Sequence, residues 1–238
     1  MNYLEKIAPS YFELLMPLKK WRILSVKDLK EQSGHNGSRS SFYKVITKLE
    51  SYLLIDSFIN SWSNEKFIYL MPNAIKVLGE EKVLPVNRDQ RFHDAIVTKI
   101  ALNFKDYNFV KDIYLDQEIG RNFPLIKKNP DILIVGQIKK DFKLAVEIEL
   151  TQKNKSRVQE IFRSYSKSIA VNNIIYITDK LGIYNTYLRY LNELSSEINT
   201  DKFIFIYEKD LNNKTFNIIN SKALYRGYET SLKQLFTI

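Results

Sequence analysis

Two neighbouring apolar segments, each carrying acids, constrain this chain more than any other feature. The first is Asn129-Pro130-Asp131-Ile132-Leu133-Ile134-Val135. The second, after a polar turn, is Lys143-Leu144-Ala145-Val146-Glu147-Ile148-Glu149-Leu150-Thr151-Gln152-Lys153. Both read as β-strands. In the second, alternation puts Phe142, Leu144, Val146, Ile148 and Leu150 on one face, and Lys143, Ala145, Glu147, Glu149 and Thr151 on the other. Asp131 opens the first strand, and Pro130 restrains the chain just before it. Three carboxylates brought to one sheet are costly unless something neutralises them, and a divalent cation is the usual answer. An exposed strand with a polar outer face is the plainer alternative. A helix and a continuous apolar strand follow, however, which predicts a central strand covered on both faces.

Composition narrows the function classes. The chain has 238 residues, enough for one large or two small domains, and 45% of them are apolar, enough for a real core. The absence of cysteine excludes disulfides and cysteine-based zinc sites and fits a reducing cytoplasm. Two histidines, His35 and His93, exclude a histidine-rich metal site. No segment is apolar enough to span a membrane, and Met1 to Lys6 lacks a signal-peptide profile. A net charge of +9 favours a polyanionic partner, with nucleic acid first.

From the N-terminus, residues 9–20 carry Tyr11, Leu14, Leu15 and Leu18 at helical spacing, with Pro17 inside. Ser25 caps a second helix that stops near Ser33-Gly34. Ser38 caps a third, Arg39 to about Tyr52, with an apolar stripe of Phe42, Val45, Ile46, Leu49 and Leu53. A hairpin follows, Leu54 to Ile59 and Lys66 to Leu70, with a polar tip, and then a short helix, Asn73 to Leu78. Three helices and a two-stranded wing predict a winged helix-turn-helix. Ser38, Arg39, Ser40, Tyr43 and Lys44 would meet DNA at the entry of the third helix. A protein-binding winged helix, with Arg39 and Lys44 merely solvated, is the competing reading. Gly79 and Pro85 punctuate a break, and the domain boundary is expected near residue 84.

Beyond it the expected order is a helix from Arg88 to Phe104 with Phe92, Ile96, Ile100 and Phe104 on one side, a strand from Phe109 to Leu115 that ends at Asp116-Gln117-Glu118, the two acidic strands, and a helix from Lys155 to Ala170 with an apolar stripe of Val158, Ile161, Phe162, Tyr165 and Ile169. A buried strand, Asn173 to Thr178, a helix, Leu181 to Ile198, and a strand, Lys202 to Tyr207, complete the series, with a hairpin near Phe216 to Ile219. This α-β-β-β-α-β-α-β series predicts an α/β domain with a mixed sheet, α+β for the whole chain. It is also the core order of the PD-(D/E)xK nuclease fold.

Phosphodiester hydrolysis needs an activated water and neutralisation of phosphoryl charge, which carboxylate-held Mg²⁺ or Mn²⁺ supplies. Asp131, Glu147 and Glu149 are the expected metal ligands, with Lys153 supplying positive charge. Lys155 and Arg163 lie on a mostly basic stripe (Lys155, Gln159, Arg163, Lys167) of the helix that starts beside the acids, placed to meet phosphate. His93 is a candidate to orient substrate or move a proton, although a lone histidine is more often structural. Glu118 is a candidate auxiliary ligand.

At these residues the chain resembles the replication-relaxation family of plasmids and integrative elements. The likeness rests on Pro130-Asp131, on Ala145 through Lys153, and on Arg157 and Tyr165 downstream. It covers the organisation of most of the chain, and the sequence match is concentrated in residues 88–165. The resemblance implies a winged helix joined to a nuclease-like domain and Asp131 and Glu147 as metal ligands. It also makes His93, Glu118, Glu149, Lys153 and Tyr165 motif positions. One departure stands out: the wider nuclease pattern has a lysine two residues after the second acid, and here Glu149 occupies that place. A glutamate there can still act as ligand or general base, and Lys153 or Lys155 could supply the displaced charge.

The leading expectation is a cytoplasmic DNA-binding protein of a mobile element that nicks or processes DNA with Mg²⁺ or Mn²⁺. DNA is the expected partner, no membrane is involved, and a homodimer is a compatible assembly. The rivals are a non-catalytic regulator or replication-initiation factor that keeps the fold for binding, and a restriction-type endonuclease.

Overall fold

A computed structural model describes residues 9–61, 63–79 and 85–236. Trp62 in the expected hairpin tip, Met1 to Lys6, and residue 84 lie outside the described residues. The chain divides into two compact units, Met1–Lys99 and Ile100–Ile238.

The first unit contains α1 (Pro9–Trp21), β1 (Ile23–Ser25), α2 (Val26–Gln32), α3 (Arg39–Ser51), β2 (Ile55–Asn60), β3 (Glu65–Leu70) and α4 (Pro72–Val77). The helix α5 (Arg91–Lys105) begins in this unit and ends in the second. Pro17 sits inside α1, which continues to Trp21. Leu14, Leu15 and Leu18 are buried around it, so packing of that face outweighs the lost backbone bond. Both predicted serine caps form: Ser25 Oγ accepts from the Asp28 N–H at 3.1 Å, and Ser38 Oγ from the Ser41 N–H at 3.1 Å.

Three details differ from the sequence expectation. The short strand β1 is new; it pairs antiparallel with β3, giving a sheet of order β1-β3-β2. Leu53 leaves the α3 stripe, with φ of 54° and 59% exposure, because the helix has already ended at Ser51. Phe92, expected on the buried side of α5, is 39% exposed and instead lies edge-on to Phe58 at 5.0 Å. The unit is a winged helix with a three-stranded sheet. The start of α5 packs on it through Ala95 and through a hydrogen bond from Thr98 Oγ1 to the Trp21 carbonyl at 2.7 Å.

The second unit holds one seven-stranded sheet. Its strands are β4 (Val110–Leu115), β5 (Ile132–Gln137), β6 (Asp141–Ile148), β7 (Asn173–Thr178), β8 (Phe203–Tyr207), β9 (Lys222–Tyr225) and β10 (Tyr228–Ser231), in the spatial order β10-β9-β8-β7-β6-β5-β4. The strands β4, β5 and β6 form an antiparallel meander. The helices α7 (Lys155–Lys167) and α8 (Leu181–Glu193) then make the crossovers that set β7 and β8 parallel to β6. This is the helix, three-strand meander, crossover helix and parallel strand order of the PD-(D/E)xK nuclease-like core.

Side chains alternate across the sheet as predicted. Leu133, Ala145, Tyr176, Phe203 and Phe205 share a core with Val158, Phe162 and Tyr165 of α7 and Tyr187 and Leu191 of α8. Leu144, Val146 and Ile148 on the opposite face are buried as well. The acidic strand is therefore interior, and the reading of β6 as an exposed strand is excluded.

The departures here are at element ends. A helix, α6 (Asp116–Asn122), stands where the sequence reading ended a strand. The α7 helix stops at Lys167, so Ile169, expected on its apolar stripe, is 96% exposed. The C-terminal hairpin is β9–β10 rather than Phe216 to Ile219. It turns through Arg226 and Gly227, both at positive φ (52° and 79°), which suits a two-residue turn whose twist matches the strands. A four-residue helix, α9 (Leu232–Leu235), closes the described chain.

Gly136 in β5 shows how closely the meander packs. A Cβ there would lie 2.4 Å from Phe142 Cζ and 2.7 Å from the Phe109 carbonyl oxygen. The aromatic ring can move; the backbone oxygen can do so only by disturbing the β4–β5 pairing, which already shifts register between Val110 and Asp112. Gly136→Ala should cost roughly 1–3 kcal/mol of stability, read from urea unfolding of the full chain.

Candidate functional site

The β5–β6 ladder pairs Ile132 with Val146 and Leu133 with Ala145. One step further, it sets Asp131 opposite Glu147 on the face that α7 covers. Asp131 sits at the bend just ahead of β5. Its Oδ2 accepts the Ile148 N–H at 2.7 Å, so the carboxylate takes over as acceptor where the backbone ladder ends.

Glu147 is 3% exposed. Its Oε1 accepts from Lys128 Nζ, in the segment ahead of β5, and from Tyr165 Oη of α7. The same ammonium lies 5.2 Å from the Tyr165 ring centre. Burial pushes the Glu147 carboxyl above its ordinary range; the Lys128 charge opposes this, and the Asp131 charge adds to it. Tyr165 is driven far up by burial and then by the Glu147 charge, so its phenol keeps its proton and remains a donor.

Glu149, also 3% exposed, follows on the same face. Lys153 Nζ pairs with it, and its backbone N–H donates to the Ile177 carbonyl at 2.8 Å. The Lys153 N–H donates to Tyr187 Oη at 3.3 Å. Burial and the Glu149 charge raise the Tyr187 phenol. Tyr176 lies opposite Glu147 in the parallel β6–β7 register. Its buried Oη has no hydrogen-bond partner among the described residues. Burial, then Glu147 and Glu149, hold that phenol well above its usual value. The result is two buried glutamates, each paired with a partly exposed lysine, with Tyr165, Tyr176 and Tyr187 packed around them.

The remaining candidates fall elsewhere. Glu118 Oε2 accepts the Leu115 N–H at 3.2 Å, which makes it a cap of α6. His93 belongs to the first unit, where its Nδ1 lies 3.6 Å from Asp94 Oδ1. On the α7 stripe, Lys155, Gln159 and Arg163 are matched to acids around α8. Lys155 pairs with Glu193 at 2.7 Å, Gln159 donates to Glu193 at 3.0 Å, and Arg163 pairs with Glu197 at 3.0 Å. In the first unit, Ser38, Arg39, Ser40 and Lys44 are exposed at the start of α3, opposite the buried Phe42, Ile46 and Leu49. The Arg39 guanidinium lies 5.7 Å from the half-buried Tyr43 ring.

Lys128 escaped the sequence reading. It lies in an aperiodic segment, and only its position just ahead of Asp131 hinted at a role. The three acids expected to share a metal form no such group: among the described residues no three acid or imidazole side chains are gathered to hold one. A smaller set does fit. Asp131 and Glu147 offer hard carboxylate oxygens on one face, with Tyr176, whose buried hydroxyl has no hydrogen-bond partner among the described residues, opposite Glu147 in the β6–β7 register. One or two carboxylates plus water satisfy Mg²⁺ or Mn²⁺.

No family model and no curated protein matches the chain. Parts of it are similar to solved bacterial regulators. A mutant MarR from E. coli in complex with operator DNA is 14% identical; the match covers 33% of this chain and 56% of that one, with a TM-score of 0.29. PcaV from Streptomyces coelicolor is 18% identical over 33% of this chain and 58% of its own, TM-score 0.29. BpsR from Bordetella bronchiseptica is 15% identical over 43% and 82%, TM-score 0.29. The chain therefore spans less than two thirds of the length of the first two. No described helix is long and apolar enough to cross a membrane.

The raised Glu147 carboxyl has a consequence for stability. Between 4.5, the ordinary value, and its raised value, the folded chain holds a proton that the unfolded chain has released. The stability this group contributes is complete below that window and declines as pH rises through it. Glu147→Gln removes the titration. Calorimetric melting of both proteins from acid to neutral pH should show the variant gaining on the wild type as pH rises. Parallel curves would contradict a raised carboxyl.

Proposed function

We propose that this is a DNA-binding protein of a mobile genetic element whose winged helix docks on duplex DNA and whose second unit hydrolyses phosphodiester bonds with Mg²⁺ or Mn²⁺. The observation that carries the proposal is the pairing of Asp131 with buried Glu147 at the end of the β5–β6 ladder, with the Lys128 ammonium on the same carboxylate. The +9 net charge and the exposed Ser38, Arg39, Ser40 and Lys44 on α3 support the DNA half.

Each residue has a stated part. Asp131 and Glu147 hold the cation. When bound, the cation activates a water and neutralises phosphoryl charge. Lys128, paired with Glu147, opposes the upward push of burial on that carboxyl, and with a cation bound it would be free to meet a phosphate oxygen. Tyr165 fixes the Glu147 rotamer through its hydrogen bond. Lys153, held against Glu149, is the second cation beside the site and fills the charge role of the lysine that Glu149 displaces.

Binding without cleavage is the second reading. Its specific support is that lysines already neutralise both buried glutamates, which a cation-dependent site does not require.

The test is incubation of the full chain with supercoiled plasmid and Mg²⁺ or Mn²⁺. Asp131→Asn is the informative variant, because the amide oxygen still accepts the Ile148 N–H while the charge is gone. Wild type should nick, and the variant should lose at least about a hundredfold in rate, the loss of roughly 2.7 kcal/mol of transition-state stabilisation. Lys128→Met should be slowed as well. A wild type that binds plasmid but never cuts it with either metal selects the second reading. Separately, Arg39→Ala with Lys44→Ala should weaken duplex binding about tenfold or more in electrophoretic shifts, with the unfolding midpoint unchanged.

A further inference from the structure

A groove of about 470 Å³ opens beside the acid site, lined by the segment Leu125–Lys128 and the C-terminal half of α7 through Ile169. Its size falls within the range of about 300–1,000 Å³ typical of small-ligand sites. Two features of its lining are unusual together. Leu125 is 73% exposed and Ile169 is 96% exposed, among the largest apolar exposures in the described chain. Around them stand Lys127, Lys128, Arg163 and Lys167 against the single acid Glu160. Arg163 is paired with Glu197 and Lys128 with Glu147, but Lys127 and Lys167 are exposed and pair with no acid among the described residues. Unpaired cations beside exposed apolar side chains suit a ligand that alternates anionic and flat apolar parts, as single-stranded nucleic acid does.

We propose that this groove holds one nucleotide of a single-stranded DNA segment, its phosphate on Lys127 and Lys167 and its base against Leu125 and Ile169. Lys128 and Tyr165 line the groove and also hold Glu147, so these two side chains stand between the groove and the acid pair. A strand seated there brings its next phosphodiester to Lys128. This last step rests on the nuclease reading above; the binding step does not. Positive charge dominates the lining, and no strand edge lines it to pair with an extended peptide. These features favour the nucleic acid over an acidic peptide.

The experiment measures binding, without metal, of fluorescent oligo-deoxythymidine to the full chain as a function of salt. Lys127→Ala and Lys167→Ala, both at exposed positions, should each weaken binding about tenfold, and the double variant should lower the logarithmic salt slope by about 0.7, the one phosphate that the two lysines share. Ile169→Asp should weaken it too. Duplex binding should stay at the wild-type level in all three. Asp131→Asn should keep oligonucleotide affinity while plasmid cutting is lost, so failure of cleavage and failure of the groove give different results. Oligonucleotide binding unaltered in both lysine variants overturns the proposal. So does a peptide of alternating Glu and Leu that displaces the labelled strand at lower concentration than unlabelled oligonucleotide does.

Discussion

The arrangement of the second unit depends on one buried carboxylate. Glu147 lies on β6, inside a seven-stranded sheet, 3% exposed, with Asp131 just ahead of the neighbouring strand β5. A carboxylate in that place is costly, and removing one partner from a buried ion pair costs several kcal/mol. Two separate segments converge to meet that cost, Lys128 from the segment ahead of β5 and Tyr165 from α7, while the Asp131 charge adds to it. The same solution recurs two residues on, where Lys153 meets Glu149. On the same face the sheet carries apolar residues at Ala145 and Leu133.

Where the neutralising charge comes from decides what the site can do. Lysine ammonium groups are mobile on long stems. Lys128 also lines the basic groove beside the acids. The proposed cation would release that ammonium toward the groove, where the proposed phosphate would meet it. Tyr165 shares both surroundings, but buried and locked in α7 it orients rather than moves.

Much of this was legible in sequence because it follows from periodicity. The alternation in β6 placed Glu147 and Glu149 on one face, and the serine caps marked the starts of α2 and α3. Other features failed for identifiable reasons. Leu53 and Ile169 continue helical stripes by spacing, but helices stop where backbone caps stop them, and both side chains fall just beyond. The strand β1 has three residues flush against the Ser25 cap, too few for a period. Acids in the first turn of α6, with Glu118 reaching back to Leu115, were a readable start signal that was read instead as a strand end. Lys128 could not be found by pattern, because its partner is distant in sequence and its segment has none. The pairing of Arg163 and Lys155 with Glu197 and Glu193 required knowing that α7 and α8 lie side by side.

The central claim is that Asp131 and Glu147 together bind a divalent cation in place of the Lys128 ammonium. Electron paramagnetic resonance of Mn²⁺ titrated into the full chain tests this without depending on cleavage. The account predicts one saturable site in wild type, lost in Asp131→Asn and tightened in Lys128→Met, where the competing ammonium is gone. Mn²⁺ binding identical in all three proteins, or no bound Mn²⁺ in any, would contradict it.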